Sequence, residues 1–142
     1  MEFYLHKVHY YETDKMGVVH HSNYIRWMEE ARVALLDRLG IGFAGMEARG
    51  LLSPVVAVDC RYLRPCRFDE LVEVRTAITE FKGVRLVVSY EFFNRSTDQL
   101  AATGTSQHCF TGAAGRPIVL KKNYPDIDEI LRASVTPRRS TL

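Results

Sequence analysis

The spacing of apolar residues changes once along this chain, and that change constrains the fold more than any other feature. In residues 24–39 apolar side chains recur every three or four residues, which predicts one long helix. From residue 56 onward the period becomes two, in segments 56–63, 72–78, 84–92 and 100–110, which predicts four strands. Residues 3–10 predict an earlier strand. Short turns between strands favour antiparallel neighbours, so we expect a two-layer α+β domain with the helix on one antiparallel sheet.

Local signals set the expected boundaries. Ser22 or Asn23 is expected to cap the long helix by accepting a hydrogen bond from a free backbone N–H, and Gly40 is expected to end it. Residues 125–133 predict a short helix, and residues 118–120 could extend the last strand. We expect a single domain over residues 1–135 and a frayed polar tail over residues 136–142.

The composition of the chain argues against several kinds of partner and against secretion. Lys and Arg number 19 and Asp and Glu 17, which argues against nonspecific nucleic-acid binding. No apolar run approaches the roughly 18 residues of a membrane span. The first residues lack the charge and hydrophobicity of a signal peptide. Three cysteines without a CxxC spacing predict reduced thiols in a cytoplasmic protein. Five histidines without an HExxH or Cys/His spacing predict no metal site.

The loop before the long helix could carry chemistry. Asp14 lies seven residues before His21, and a helix N-terminus offers free backbone N–H groups and positive potential. Such donors can polarise a carbonyl group, and a nearby carboxylate can attack that carbonyl or take a proton from water. Asp14 beside the helix start is therefore a minimal acyl-transfer site. The alternative is that Asp14 is an ordinary turn residue.

Three blocks of sequence carry a resemblance to a known family. They are VHYYETDKMGVVHHSNY at residues 8–24, WMEEAR at residues 27–32 and VDCRYLRPCRFDE at residues 58–70. Together they resemble the 4-hydroxybenzoyl-CoA thioesterase family, and especially its acyl-CoA thioesterase branch, which includes the enzyme encoded in the Tol–Pal cluster. The likeness runs from about residue 4 to residue 120. Lys15 and Met16 depart from the small residues frequent after the aspartate, and His20 stands where an aromatic residue is frequent.

The resemblance implies a hot-dog fold, in which a sheet wraps one long helix and two copies join edge to edge, with homotetramers common. It implies hydrolysis of an acyl-CoA thioester to a free acid and CoA, without a metal or other cofactor. The family's catalytic carboxylate falls on Asp14, as nucleophile or general base, and its carbonyl-polarising backbone N–H falls on His21. The histidine of the acyl-CoA branch also falls on His21, and the active site is expected at the dimer interface.

Further residues are candidate substrate contacts. Gly17 shares the loop with Asp14, and Val19, Trp27 and Met28 could line an acyl pocket or simply pack in the core. Glu29 could shape the site at the interface, or Glu29 and Glu30 could form salt bridges with Arg26 and Arg32. Cations for the CoA phosphates could come from strand ends, where Arg61, Arg64, Lys82 and Arg85 lie, although each could equally be a solvated charge.

Two other functions fit the same residues. A hot-dog hydratase or dehydratase could pair His21 with Glu29, and a non-catalytic acyl-CoA-binding module would keep the pocket without needing Asp14. The sequence leaves open the acyl length, aromatic against aliphatic preference, and dimer against tetramer.

Overall fold

The computed structural model describes residues 3–136, and within them the predicted order of one strand, one long helix and four strands is confirmed. The strands are β1 (Tyr4–Lys7), β2 (Val55–Tyr62), β3 (Leu71–Phe81), β4 (Arg85–Asn94) and β5 (Gln99–Cys109). The helices are α1 (Ser22–Arg38), α2 (Phe43–Ala48), α3 (Leu120–Asn123) and α4 (Pro125–Ala133), with a 3₁₀ helix at Tyr10–Glu12. Residues 137–142 of the predicted tail lie outside the described residues.

The strands form one five-stranded antiparallel sheet in the order β1-β3-β4-β5-β2. The expectation that β2 and β3 are neighbours is wrong, because β2 lies beside β5 at the opposite edge. Two contacts explain this. The N–H groups of Leu63 and Arg64 both donate to the carbonyl of Ala101, so the chain leaves β2 still attached to β5. The N–H of Val8 donates to the carbonyl of Glu70 at 2.9 Å, which gives β1 the place beside β3.

Strand β1 is shorter than predicted. It ends at Lys7, and the predicted strand residue Tyr10 instead begins the 3₁₀ helix, where the N–H of Glu12 donates to the carbonyl of His9 at 3.0 Å. Helix α2 was not predicted. The last strand is not extended by residues 118–120, because Leu120 begins α3 and its N–H donates to the carbonyl of Gly83.

Helix α1 buries the face that its periodicity predicts, with Tyr24, Trp27, Met28, Ala31 and Leu35 among its buried residues. Gly40, at φ +85°, follows the helix as expected. The expected cap is wrong in detail. The N–H of Ser22 donates to Nδ1 of His20 at 3.3 Å, and the side-chain amide of Asn23 donates to backbone carbonyls rather than accepting.

The described chain divides into two compact units. Unit 1 comprises residues 3–35, 59–76 and 90–105, and unit 2 comprises residues 36–58, 77–89 and 106–136. The core of unit 1 contains Trp27, Tyr90 and Phe92, whereas the core of unit 2 contains large side chains from several helices and strands, including Met46, Leu86, Phe110, Ile127 and Leu131.

Gly104 marks a close approach in unit 1. A Cβ atom there would fall on the methyl group of Met28 and 2.6 Å from the carbonyl oxygen of Asp59. Because real Cβ atoms are not found so near other heavy atoms, only glycine fits at this point of β5.

Strand β2 differs from the other strands because almost all of its side chains are exposed. Val55, Val56, Val58 and Tyr62 are 43–58% exposed, and Leu63 follows at 53%. In the neighbouring strands, Ala77, Val87 and Phe93 are half-buried. Among residues 3–136, none of the helices combines the length and apolar character that crossing a bilayer requires.

Candidate active site

The loop before α1 is a closed turn. Thr13 and Val19 form an isolated antiparallel bridge, and the N–H of Asp14 donates to the carbonyl of Val18 at 2.8 Å. The N–H of Gly17 returns to the carbonyl of Asp14 at 2.9 Å. Gly17 has φ +79°, a conformation that disfavours any residue with a Cβ. The predicted role of Gly17 in substrate contact stays a prediction, and its turn geometry accounts for the residue type.

The carboxylate of Asp14 has one occupied oxygen and one available oxygen. Its Oδ1 accepts a hydrogen bond from the N–H of Met16 at 2.8 Å, so Asp14 does stabilise its own turn. Over residues 3–136 the structure gives Oδ2 no hydrogen-bond donor. The side chain is half-buried. The turn and the chemical interpretations of Asp14 are therefore compatible, because one oxygen orients the carboxylate and the other is left for a reaction.

The backbone at the start of α1 offers an unused donor. His21 immediately precedes the first helical residue, Ser22, and within the described residues its N–H meets no acceptor. The carbonyl of His20, in the same peptide group as this N–H, accepts a hydrogen bond from the N–H of Asn23 at 3.0 Å. In the next peptide group, the carbonyl of His21 accepts a hydrogen bond from the hydroxyl of Tyr62 at 3.2 Å. The imidazole of His21 is exposed and lies against that of His20, with ring centroids 4.2 Å apart.

Glu12 is a site residue that the sequence did not indicate. Its carboxylate is buried and accepts hydrogen bonds at 2.7 Å from the N–H of His9, from Nε2 of His6 and from the indole N–H of Trp27. Burial raises the pKa of Glu12, but the hydrogen bonds from His9, His6 and Trp27 outweigh it and hold that pKa below its ordinary value. The signal available beforehand was Trp27, since a buried indole N–H needs an acceptor.

His6, His9 and Glu12 also bring three potential metal-ligand atoms within 4.8 Å of one another. Both carboxylate oxygens of Glu12 already accept hydrogen bonds, and Nε2 of His6 is one of the donors. A cation would have to displace these bonds. The donor set therefore fits a hydrogen-bonded network better than a metal site.

The candidate apolar contacts are packed inside unit 1. Trp27 and Met28 have almost no exposed surface, and Val19 is 6% exposed. The N–H of Val19 donates to the carbonyl of Cys66 at 2.8 Å. The contribution of all three side chains in this chain is packing in the core. Any contact of theirs with an acyl group stays a prediction.

The candidate charged contacts are found in both units. Glu29 and Arg61 are exposed residues of unit 1. In unit 2, Lys82 lies 3.4 Å from a carboxylate oxygen of Glu80, and Arg85 donates to the side chain of Gln107. The roles of these four residues in substrate binding stay predictions.

The expected salt bridges along α1 are not formed among the described residues. Arg32 is buried and donates to the hydroxyl of Tyr90 at 3.3 Å. Glu30 accepts a hydrogen bond from the hydroxyl of Tyr4 at 2.5 Å. Glu30 and Arg32 are therefore hydrogen-bonded to residues of the sheet and not to each other.

Unit 2 carries an open groove of about 400 Å³. Its lining is mostly apolar and includes Phe43, Leu52, Pro54 and Thr111. None of the candidate catalytic or substrate-binding residues lines it. The candidate residues Asp14 and His21 lie instead at the loop before α1 in unit 1.

Comparison with known proteins agrees with these observations. Residues 8–135 match the family model of the thioesterase-like superfamily. YneP of Bacillus subtilis, which carries the name of an acyl-CoA thioesterase, is 39% identical over 121 residues, covering 84% of this chain and 87% of that protein. The acyl-CoA thioester hydrolase YbgC of Escherichia coli is 27% identical and covers 82% and 87%, respectively.

A solved structure gives the same result in three dimensions. The DHNA-CoA thioesterase from Staphylococcus aureus superposes with a TM-score of 0.89 at 34% identity, over 93% of this chain and 89% of that one. The expected hot-dog fold is thereby confirmed. The narrower placement in the 4-hydroxybenzoyl-CoA family is not, because the matching model is the broader one. The chain belongs to the thioesterase-like superfamily.

Proposed function

We propose that this protein hydrolyses acyl-CoA thioesters to a carboxylic acid and CoA. The observation that carries the proposal is the pairing, in one loop, of an available carboxylate oxygen on Asp14 with an unused backbone N–H on His21. The names of its relatives support the same reaction class.

In the proposed reaction the thioester carbonyl oxygen accepts a hydrogen bond from the N–H of His21. The positive end of α1 stabilises the negative charge that develops on that oxygen. A single donor of this kind typically contributes about 3 kcal/mol of transition-state stabilisation. The backbone N–H is therefore the main contribution of His21, and its imidazole is free to contact the substrate.

Asp14 then acts in one of two ways. As a nucleophile, Oδ2 forms a bond to the carbonyl carbon, the C–S bond breaks, and CoA leaves as a thiolate; water then hydrolyses the resulting anhydride. As a general base, Asp14 takes a proton from a water molecule whose oxygen attacks the carbon. The C–S bond breaks and the proton passes to the departing thiolate.

The two routes are distinguished by single turnover in ¹⁸O-labelled water. The nucleophilic route is recognised when water attacks the Asp14 carbon of the anhydride, because an unlabelled oxygen from Asp14 then leaves in the first acid product and the label stays on Asp14. The general-base route places the label directly in the acid. Mass spectrometry of the acid and of the peptide that contains Asp14 measures the ¹⁸O content of each.

The first test of the function is a panel of acyl-CoA substrates with detection of released thiol. Because the Staphylococcus aureus relative is named for a bicyclic aromatic acyl group, the panel includes aromatic and aliphatic thioesters. We expect CoA release from at least one class. Water addition to an enoyl-CoA, seen as a loss of its absorbance without thiol release, would favour the hydratase alternative. Tight binding without turnover across the panel would favour the binding-module alternative.

We further propose that a second copy of the chain covers strand β2. Its apolar side chains are exposed on both faces, and an edge strand offers unpaired N–H and C=O groups to a partner strand. The resulting assembly is a homodimer or a dimer of dimers, with the active site at the interface. A charged substitution at Val56 or Val58 should reduce the molar mass measured by light scattering to that of one chain and lower activity with it.

Arg61, Lys82 and Arg85 are proposed to contact the CoA phosphates. Replacing a phosphate-binding arginine should raise KM for the acyl-CoA. The same change should not affect KM for a short acyl-pantetheine thioester, which lacks the nucleotide. The free cysteines Cys60, Cys66 and Cys109 fit a reaction in the reducing cytoplasm.

A further inference from the structure

Glu12 connects more parts of unit 1 than its position in a short turn would suggest. Its carboxylate binds His6 of β1, the backbone of His9 and Trp27 of α1, each at 2.7 Å. Hydrogen bonds to a buried carboxylate are stronger than those between neutral groups, because the acceptor is charged and shielded from water. The side chain of Glu12 therefore fixes the residues just before Asp14 to both β1 and α1.

The backbone of the same residue holds the other end of the loop. The carbonyl of Glu12 accepts hydrogen bonds at 2.9 Å from the N–H of His20 and from the side-chain amide of Asn23. His20 immediately precedes His21. One residue thus connects the segment that leads into Asp14 with the segment that presents the His21 N–H.

Neighbouring groups complete the network around His6. The hydroxyl of Tyr4 donates to Glu30, and Nδ1 of His6 lies 3.7 Å from the same carboxylate. The imidazole of His6 packs on the indole of Trp27 with ring centroids 4.7 Å apart. His6 is therefore held from several sides, and it holds Glu12 in turn.

We propose that Glu12 is a positioning residue, which sets the distance between the Asp14 carboxylate and the His21 amide. This inference rests on the proposed function, because it assigns Glu12 a role in the same reaction. A misplacement of reacting groups by about 1 Å can lower a rate by about 100-fold. Gln is nearly isosteric with Glu, but it offers one acceptor oxygen and an NH₂ group where three donors converge. Glu12→Gln therefore loosens the loop while nearly preserving volume.

The experiment compares Glu12→Gln with Asp128→Asn. Asp128 is also a buried carboxylate, paired with Arg132 on α4 in unit 2, so its replacement reproduces the loss of a buried charge away from the loop. We expect Glu12→Gln to lower kcat by about 10- to 100-fold with KM within about threefold. Asp128→Asn should lower the melting temperature and leave kcat within about twofold. Equal kcat values for wild type and Glu12→Gln would overturn the proposal.

Amide hydrogen exchange provides a measurement that does not depend on turnover. The N–H groups of Val19 and His20 donate to the carbonyls of Cys66 and Glu12. These two amides should exchange at least tenfold faster in Glu12→Gln than in wild type, and at an unchanged rate in Asp128→Asn. If the wild type hydrolyses no thioester but this acceleration is seen, the proposed function fails and the positioning role stands. If the exchange rates are unchanged, the positioning role fails.

Trp27→Phe provides a second variant if Glu12→Gln does not fold. It keeps an aromatic side chain in the core and removes one donor to Glu12. We expect a smaller fall in kcat, of about three- to tenfold, with KM unchanged. A fall in kcat as small as that of Asp128→Asn would overturn the proposal.

Discussion

Two carboxylates that lie two residues apart in the same loop have opposite surroundings. Glu12 is buried, and both of its oxygens accept hydrogen bonds from three donors. Asp14 is half-buried and accepts one hydrogen bond, from the N–H of Met16. A carboxylate whose two oxygens both accept hydrogen bonds is a poor nucleophile, but it holds its donors firmly in place. A carboxylate with an available oxygen can react. In the proposed reaction Glu12 therefore holds the loop and Asp14 reacts, and this difference in role can be tested.

The largest effect is expected from Asp14→Asn. Without a carboxylate at this position we expect kcat to fall by at least about 100-fold, the usual contribution of a positioned acid or base. The free energy of unfolding should change by less than about 0.5 kcal/mol, because an asparagine oxygen can still accept from Met16. Thiol release and urea unfolding measure the two quantities.

Asp69→Asn is the matched control for Asp14. Asp69 is also a loop aspartate, paired with Lys7 on the surface, and its φ of +69° is one that asparagine tolerates. Its kcat should equal that of the wild type. Normal hydrolysis by Asp14→Asn, or an equal loss in Asp69→Asn, would remove the reactive role from Asp14.

The next largest effect is expected on the free energy of unfolding when Glu12 is replaced. Glu12→Ala leaves three donors without their acceptor, each at a cost of about 1 kcal/mol or more, so we expect a loss of about 3 kcal/mol. Glu29→Ala, an exposed change on α1, should stay within about 0.5 kcal/mol. Urea unfolding at one fixed protein concentration gives both values. Equal losses in the two variants would show that the Glu12 contacts contribute little.

The stability that Glu12 contributes is expected to depend on pH. Because the pKa of Glu12 is lower in the folded protein than its ordinary value of 4.5, its contribution to stability is complete above that pH. It is lost as the pH falls through the folded-state pKa. The difference in unfolding free energy between wild type and Glu12→Gln should therefore be wide at pH 7 and narrow below about pH 4.5. A difference that is equally wide at pH 3.5 and 7 would contradict this assignment.

The smallest effect is expected at the tip of the loop. Gly17→Ala places a Cβ at φ +79° with no heavy atom within 4 Å of it, so the cost is backbone strain of about 1 kcal/mol. Gly112→Ala, also in open space but without a positive φ, should cost less. Thermal unfolding of the two variants compares them directly.

The elements governed by periodicity were predictable from the sequence. Helix α1 and strands β3 to β5 bury side chains at regular intervals, and the same intervals are visible in the sequence. The edge position of β2 was not predictable, because it depends on Val8 and Leu63 finding partners in distant segments. The connection that follows β2 in the sequence is compatible with β2 pairing either with β3 or with β5.

The candidate site also contains residues that the sequence indicates and one residue that only the folded structure indicates. Asp14 and His21 stand in a contiguous motif, so the sequence indicated them directly. Glu12 lies in that motif too, yet its partners are separated from it by up to 15 residues and converge only on folding. A glutamate in a tyrosine-rich turn otherwise resembles a surface residue. The charge pairing predicted along α1 failed because Glu30 and Arg32 have partners in the sheet.

The close approach at Gly104 limits how this protein could change. A methyl group added there collides with the movable end of Met28 and also with an immovable peptide oxygen of Asp59. Shortening Met28 would relieve the first collision and leave the second. No single compensating substitution can therefore make room for a larger residue at position 104, and we expect every folded variant of this chain to keep glycine there.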